Sequence, residues 1–154
     1  MKKAEKTVDD ILARLFVTTL KIEERAIAAN FNNDLSISEL HVIREIGIHD
    51  SKTMTQVAKG LKISVGALTT AMNKLEQKGY VLRMRDIGDR RIVNVCLTDA
   101  GRSAFDAHGA FHKKMVNAAL SQLSANEKEV LLTALTRLDD YFIEEWNKCQ
   151  AKPK

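Results

Sequence analysis

The chain has 154 residues, is 45% hydrophobic and 29% charged, and carries a formal net charge of +4. That length suits one domain, or a small module with the helices that pair it to a second copy, and the composition excludes a disordered polymer. No apolar run approaches the ~20 residues that cross a bilayer, the basic start lacks a signal peptide's apolar core, and Cys96 and Cys149 form no C-x-x-C pair, so a cytoplasmic protein without structural disulfides is expected.

From Thr7 to about Asn30, Val8, Ile11, Leu12, Leu15, Phe16, Leu20 and Ile27 recur at three-and-four spacing, which predicts an amphipathic helix. A polar break follows to Asp34. Ser36 with Glu39 is a capping box that opens a second helix, with Leu40, Ile43 and Ile46 inward and an end near Gly47. Thr53 with Gln56 repeats the pattern and opens a third, with Val57, Ala58 and Leu61 inward. Ser64 is the expected N-cap of a fourth helix and Gly79 its stop.

In that fourth helix Leu68, Met72 and Leu75 share one face, expected to be the core side, and the opposite face carries Gly66, Thr69, Thr70, Asn73 and Gln77. A surface helix more often shows Glu and Lys there. Short and amide side chains are what a helix entering a DNA groove needs. Tyr80 to Arg85 and Ile92 to Leu97 then read as a β-hairpin whose tip contains Gly88, Arg90 and Arg91. Helix, turn, helix and hairpin are the parts of a winged helix-turn-helix, which places its second helix in a major groove.

Charge supports this reading. Between Lys59 and Arg91 there are eight basic residues against three acidic ones, so the rest of the chain is near neutral. A local basic patch is the electrostatic footprint of phosphate binding. Ser64, Gly66, Thr69, Thr70, Asn73 and Lys74 on the helix, with Arg83, Arg85, Arg90 and Arg91 on the hairpin, are therefore the candidate contacts to double-stranded DNA.

Thr98 to Gly101 starts a long helix whose inward stripe includes Ala104, Phe105, His108, Phe111, His112, Met115, Val116 and Leu120. Ser124 with Glu127 caps a last helix bearing Val130, Leu131, Leu135, Leu138, Phe142 and Trp146. The long terminal helices carry more apolar surface than a winged helix of this size can cover, so a homodimer is expected. The predicted fold is mainly α with a small β-hairpin wing. Residues 35–101 form the winged helix-turn-helix, 1–34 and 102–150 the dimerisation helices, and 151–154 a frayed tail.

At these residues the chain resembles the MarR family of winged-helix regulators over nearly its whole length. The wing fits the family's D-x-R…L-T…G pattern with Asp89, Arg91, Leu97, Thr98 and Gly101, and Leu75-Glu-Gln-Lys-Gly79 fits its L-E-x-x-G ending of the recognition helix. The resemblance implies that Asp89 braces the wing and that Arg91 reaches the minor groove. Leu35 to Gly47, Phe111 to Val116 and the Asp-Arg-Arg wing are similar to the fatty-acid-synthesis repressor branch. That likeness implies a long-chain acyl-acyl carrier protein as corepressor. Its acyl chain would enter the region of Phe16, Leu20, Ile27, Ile43, Phe105 and Phe111. The plainer reading of those six residues is hydrophobic core.

The histidines offer an alternative. His108 and His112 stand at i, i+4 on one face, His41 lies on the second helix, and Glu23 and Glu24 lie on the first. Two imidazoles and a third His or a carboxylate, Glu24 for instance, can hold a tetrahedral zinc. Buried histidines bonded to carbonyls or carboxylates account for the same residues. The MarR family has a zinc-sensing branch with a His- and Glu-rich site in a similar region, so a zinc-responsive regulator is the runner-up. No nucleophile motif, P-loop or Rossmann glycine pattern is present, so an enzyme is not expected. A winged helix used only for protein contacts would bind DNA without a steep salt dependence.

Overall fold

Short polar side chains set where the helices start, and the computed structural model shows them doing so. It describes residues 2–31, 34–49, 51–85, 88–89 and 92–151, and the chain divides into two units, Met1–Phe111 and His112–Lys154. The elements in order are α1 (Lys2–Phe31), α2 (Ile37–Ile46), β1 (Lys52–Thr53), α3 (Met54–Gly60), α4 (Val65–Gln77), β2 (Val81–Arg85), β3 (Val93–Leu97), α5 (Asp99–Leu120) and α6 (Ala125–Ala151). Among the described residues no helix is long and apolar enough to cross a membrane.

The capping boxes form as spaced. Ser36 Oγ accepts from the Glu39 amide while Glu39 accepts from the Ser36 amide, and Thr53 and Gln56 do the same at α3. Helix α1 begins at Lys2, earlier than the expected Thr7. Lys and Ala favour helix there without contributing an apolar rhythm to read. The β1 strand was not expected. It pairs antiparallel with β3, Lys52 opposite Val95 and Thr53 opposite Asn94, and makes the hairpin a three-stranded sheet ordered β1-β3-β2.

In the first unit the core is the winged helix itself. Leu40, Ile43 and Ile46 of α2, Val57 of α3, Leu68, Met72 and Leu75 of α4, and Val81 and Val95 of the sheet are fully buried. The Lys78 ammonium at the end of α4 bonds Glu39 Oε1 at 2.9 Å and also meets the Asp34 carbonyl, tying α4 to the start of α2. Burial alone would raise the Glu39 carboxyl, but the Ser36 amide, Lys78 and the Ser36 hydroxyl outweigh it and hold it below its ordinary value. Tyr80 donates to Asp34 Oδ2 at 2.7 Å, and burial with that bond pushes its phenol up to about 12.

The apolar stripe of α1 is bare over most of its length: Val8, Leu15, Phe16 and Leu20 are exposed, Phe16 at 68%, while Ile27 enters the core and Phe31 packs against it. In the second unit α6 likewise leaves Val130, Leu132, Leu135, Tyr141 and Phe142 exposed. Its start is the third capping box, Glu127 accepting from the Ser124 amide at 2.8 Å.

Candidate nucleic-acid interface

The turn between α3 and α4 is closed by the Ile63 amide donating to the Ala58 carbonyl, with Lys62 at φ 56°. Ser64 then caps α4, its Oγ accepting from the Ala67 amide at 3.1 Å. Because Leu68, Met72 and Leu75 are fully buried, the register of α4 is fixed and the opposite face must look outward. Gly66, Thr69, Thr70, Asn73 and Lys74 are all exposed. The Thr69 and Thr70 hydroxyls donate back to the Val65 and Gly66 carbonyls, which leaves their oxygen lone pairs and methyl groups as the outward features. Those suit a base amino group and a thymine methyl respectively.

Gly66 has no packing reason to be glycine. A Cβ added there meets nothing nearer than Ser64 Oγ at 3.9 Å. Glycine costs a helix about 0.5–1 kcal/mol relative to alanine, so its use on an open face fits close approach by something outside the chain. Gly66→Ala is expected to leave the melting temperature unchanged or higher and to weaken DNA binding. Unchanged DNA affinity in that variant would remove Gly66 from the interface.

The two described arginines of β2 differ in their surroundings. Arg85 is exposed on β2, as expected for a backbone contact. Arg83 is not turned toward solvent. Its Nη1 donates to Asn73 Oδ1 at 2.7 Å and to Glu76 Oε2 at 3.2 Å, and its Nη2 donates to the Thr69 carbonyl at 3.2 Å. Its side chain is 23% exposed. The sequence makes Arg83 a candidate DNA contact, and the register of β2 against α4 brings its guanidinium to these groups of the helix. Asp89 is exposed, and its carbonyl accepts from the Ile92 amide to close the tip. Arg90 and Arg91 lie outside the described residues.

Beside α4 runs a groove of about 610 Å3 lined by Thr53, Met54, Thr55, Val65, Thr69, Arg83, Ile92 and Val93. Val65 and Thr55 were not among the sequence candidates. Their only signal was an exposed β-branched residue directly after each N-cap region, which reads equally as ordinary surface.

The expected effector residues scatter. Leu20 and Ile27 line a groove of about 500 Å3 with Glu24, Ala28, Leu35, Ser36, Ile37 and Ser38. Ile27 and Phe111 border a small crevice with His108. Ile43 is fully buried, Phe105 packs against the core, and Phe16 is exposed beyond both grooves.

Of the candidate metal ligands the structure gathers His41 and His108, and joins them with Glu23 rather than Glu24. Glu23 Oε1 is 2.7 Å from His108 Nε2 and 3.4 Å from His41 Nε2, and the three donor atoms lie within 4.8 Å of one another. Glu23 and His108 are buried. Adjacent helical residues point about 100° apart, so Glu24 faces the outer groove and is exposed. His112 lies at the start of the second unit. One carboxylate and two imidazole nitrogens form a donor set that zinc accepts, and equally a satisfied hydrogen-bond network.

The MarR family model matches residues 35–93. The chain is 29% identical over 131 residues to the helix-turn-helix-type transcriptional regulator YwhA of Bacillus subtilis, covering 85% of this chain and 91% of that protein. It is 28% identical over 134 residues to the transcriptional repressor MdtR of the same organism, covering 87% and 85%. Among solved structures it is similar to Streptococcus pneumoniae FabT in complex with DNA, with 36% identity, a TM-score of 0.88, and coverage of 91% of this chain and 98% of that one. A Staphylococcus aureus MepR–DNA complex shares the fold at 21% identity and a TM-score of 0.74, covering 88% and 97%.

Proposed function

This chain belongs to the MarR family of transcriptional regulators, and from that premise we propose that it is a repressor that binds a palindromic operator as a homodimer. It is a regulator and not an enzyme. The observation that carries the DNA reading is the outer face of α4, free of large hydrophobes from Gly66 to Asn73 and flanked by a basic wing. The bare apolar stripes of α1 and α6 support a second copy, since surfaces of that kind mark association sites. Two copies of α4 related by a two-fold would read half-sites about one DNA turn, ~10 bp, apart. Arg and Lys would set register on phosphates while Thr69, Thr70 and Asn73 read base edges.

We further propose long-chain acyl-acyl carrier protein as corepressor. The likeness to FabT supports this, as does the groove between α1 and the start of α2, where Leu20, Ile27, Leu35 and Ile37 offer an apolar wall. A ligand shifts the helix spacing only by binding one spacing better than the other. The second reading, zinc, rests on Glu23, His41 and His108, which would hold the ion between α1, α2 and α5. Bound zinc would cross-link those helices.

Fluorescence anisotropy with the DNA upstream of this gene and of the fatty-acid-synthesis genes tests both. Tighter binding with the acylated carrier, indifferent to chelator, is the expected result. Dependence on zinc with no response to the acylated carrier would replace the lipid reading by the metal one. Indifference to both would remove both effectors and leave the repressor.

A further inference from the structure

We propose that Arg83 is a positioning residue for base readout: it holds Asn73 so that the amide NH2 faces the groove, which makes the contacted group a base acceptor (O4 of thymine, O6 or N7 of guanine, N7 of adenine) and selects against cytosine, which offers only an amino donor. The inference rests on the DNA-binding reading and deepens it.

An asparagine side chain has two unlike ends, an oxygen that accepts and a nitrogen that donates two hydrogens. A guanidinium has donors only. When Arg83 Nη1 stands 2.7 Å from the Asn73 amide, chemistry permits one orientation, with Oδ1 toward the arginine. Nδ2 is then the end left for a partner outside the chain. The bidentate contact by which asparagine selects adenine needs both ends on one base, the oxygen accepting from N6 and the nitrogen donating to N7. Here one of the oxygen's two lone pairs already accepts from Arg83, so the NH2 is the end turned away from the arginine.

The clamp is built to hold. Thr69, Asn73 and Glu76 sit at i, i+4 and i+7 on α4, so a single stripe faces β2, and Arg83 reaches all three. Each bond alone is modest, and the pairing with the half-exposed Glu76 contributes little by itself. Together they fix the planar guanidinium, which no lysine could replace in kind. The pairing also covers Glu76, the one acidic residue of α4, whose charge would otherwise oppose the phosphates. A lone phosphate contact would leave Arg83 extended into solvent, and it is not.

The test uses the full-length protein and a random-sequence duplex library. Wild type, R83M, R83K, N73A and the R83M/N73A double variant each select binding sequences, and affinities are then measured on the selected duplex and its single-base changes. Wild type should disfavour cytosine at one position per half-site by about tenfold or more. R83M and N73A should both flatten that position and no other, the double variant should lose nothing further, and R83K, which keeps a donor, should recover part of the preference. Thermal melts establish that each variant is folded, and R83K carries the comparison if R83M is not. An equal loss on all sequences with a shallower salt slope in R83M would overturn the proposal and make Arg83 a phosphate contact. So would a preference for cytosine at the position that N73A flattens. If wild type selects no sequence at all, the DNA reading itself falls with it.

Discussion

Alanine at position 101 should destabilise this protein by on the order of 3 kcal/mol. A Cβ at Gly101 would lie 2.1 Å from the Tyr80 carbonyl oxygen and 3.1 Å from Leu97 Cβ. Backbone cannot swing aside as a flexible side chain can. The same carbonyl accepts from the Thr98 amide, the Thr98 hydroxyl donates to the Gly79 carbonyl at 2.7 Å, and the Gly101 amide donates to Thr98 Oγ1 at 3.1 Å. The first turn of α5 is thus locked onto the chain leaving α4. Moving it would disturb the end of the recognition helix and the base of the wing together. Gly109 on the same helix is the control, since a Cβ there meets nothing within 4 Å. Gly109→Ala should be neutral or stabilising by up to about 1 kcal/mol. Denaturant unfolding of the two variants checks both, and equal stabilities would refute the close approach at Tyr80.

Asn73→Ala should cost about 1–3 kcal/mol on the selected operator and far less on random DNA. Asn73 is exposed at the middle of α4, opposite Leu75, which is fully buried. Its removal takes nothing from the core, and Arg83 keeps Glu76 and the Thr69 carbonyl as partners. Stability should therefore change little while specificity falls. Competition titrations of operator against random duplex measure the ratio directly. Equal losses on both duplexes would make Asn73 a backbone contact and leave sequence reading to Thr69 and Thr70.

Much of this was legible because the deciding signals are local. Capping boxes depend on residues three apart, and all three formed where Ser36, Thr53 and Ser124 predicted them. The core face of α4 followed from one apolar rhythm, Leu68, Met72 and Leu75. The L-T-x-x-G signature, taken from a family likeness, proves to be a physical unit at Thr98 and Gly101.

What was missed depends on distant partners. A two-residue strand such as Lys52–Thr53 has no pattern of its own and exists only because β3 lies beside it. Nothing in the spacing of Arg83 says whether it points to phosphate or to Asn73, because that is set by how β2 crosses α4. The choice between Glu23 and Glu24 turned on a rotation of one residue about α1, which a helix with a mostly exposed apolar stripe does not reveal.

The most direct measurement is the salt dependence of binding to the DNA upstream of this gene, beside a scrambled duplex of equal length. A winged helix that reads DNA through α4 and a basic wing should prefer the upstream DNA strongly at moderate salt. Its affinity should fall steeply, by roughly a thousandfold or more between 50 and 200 mM salt if six or more phosphates are neutralised. Weak binding, equal on both duplexes and indifferent to salt, would contradict a DNA-reading role.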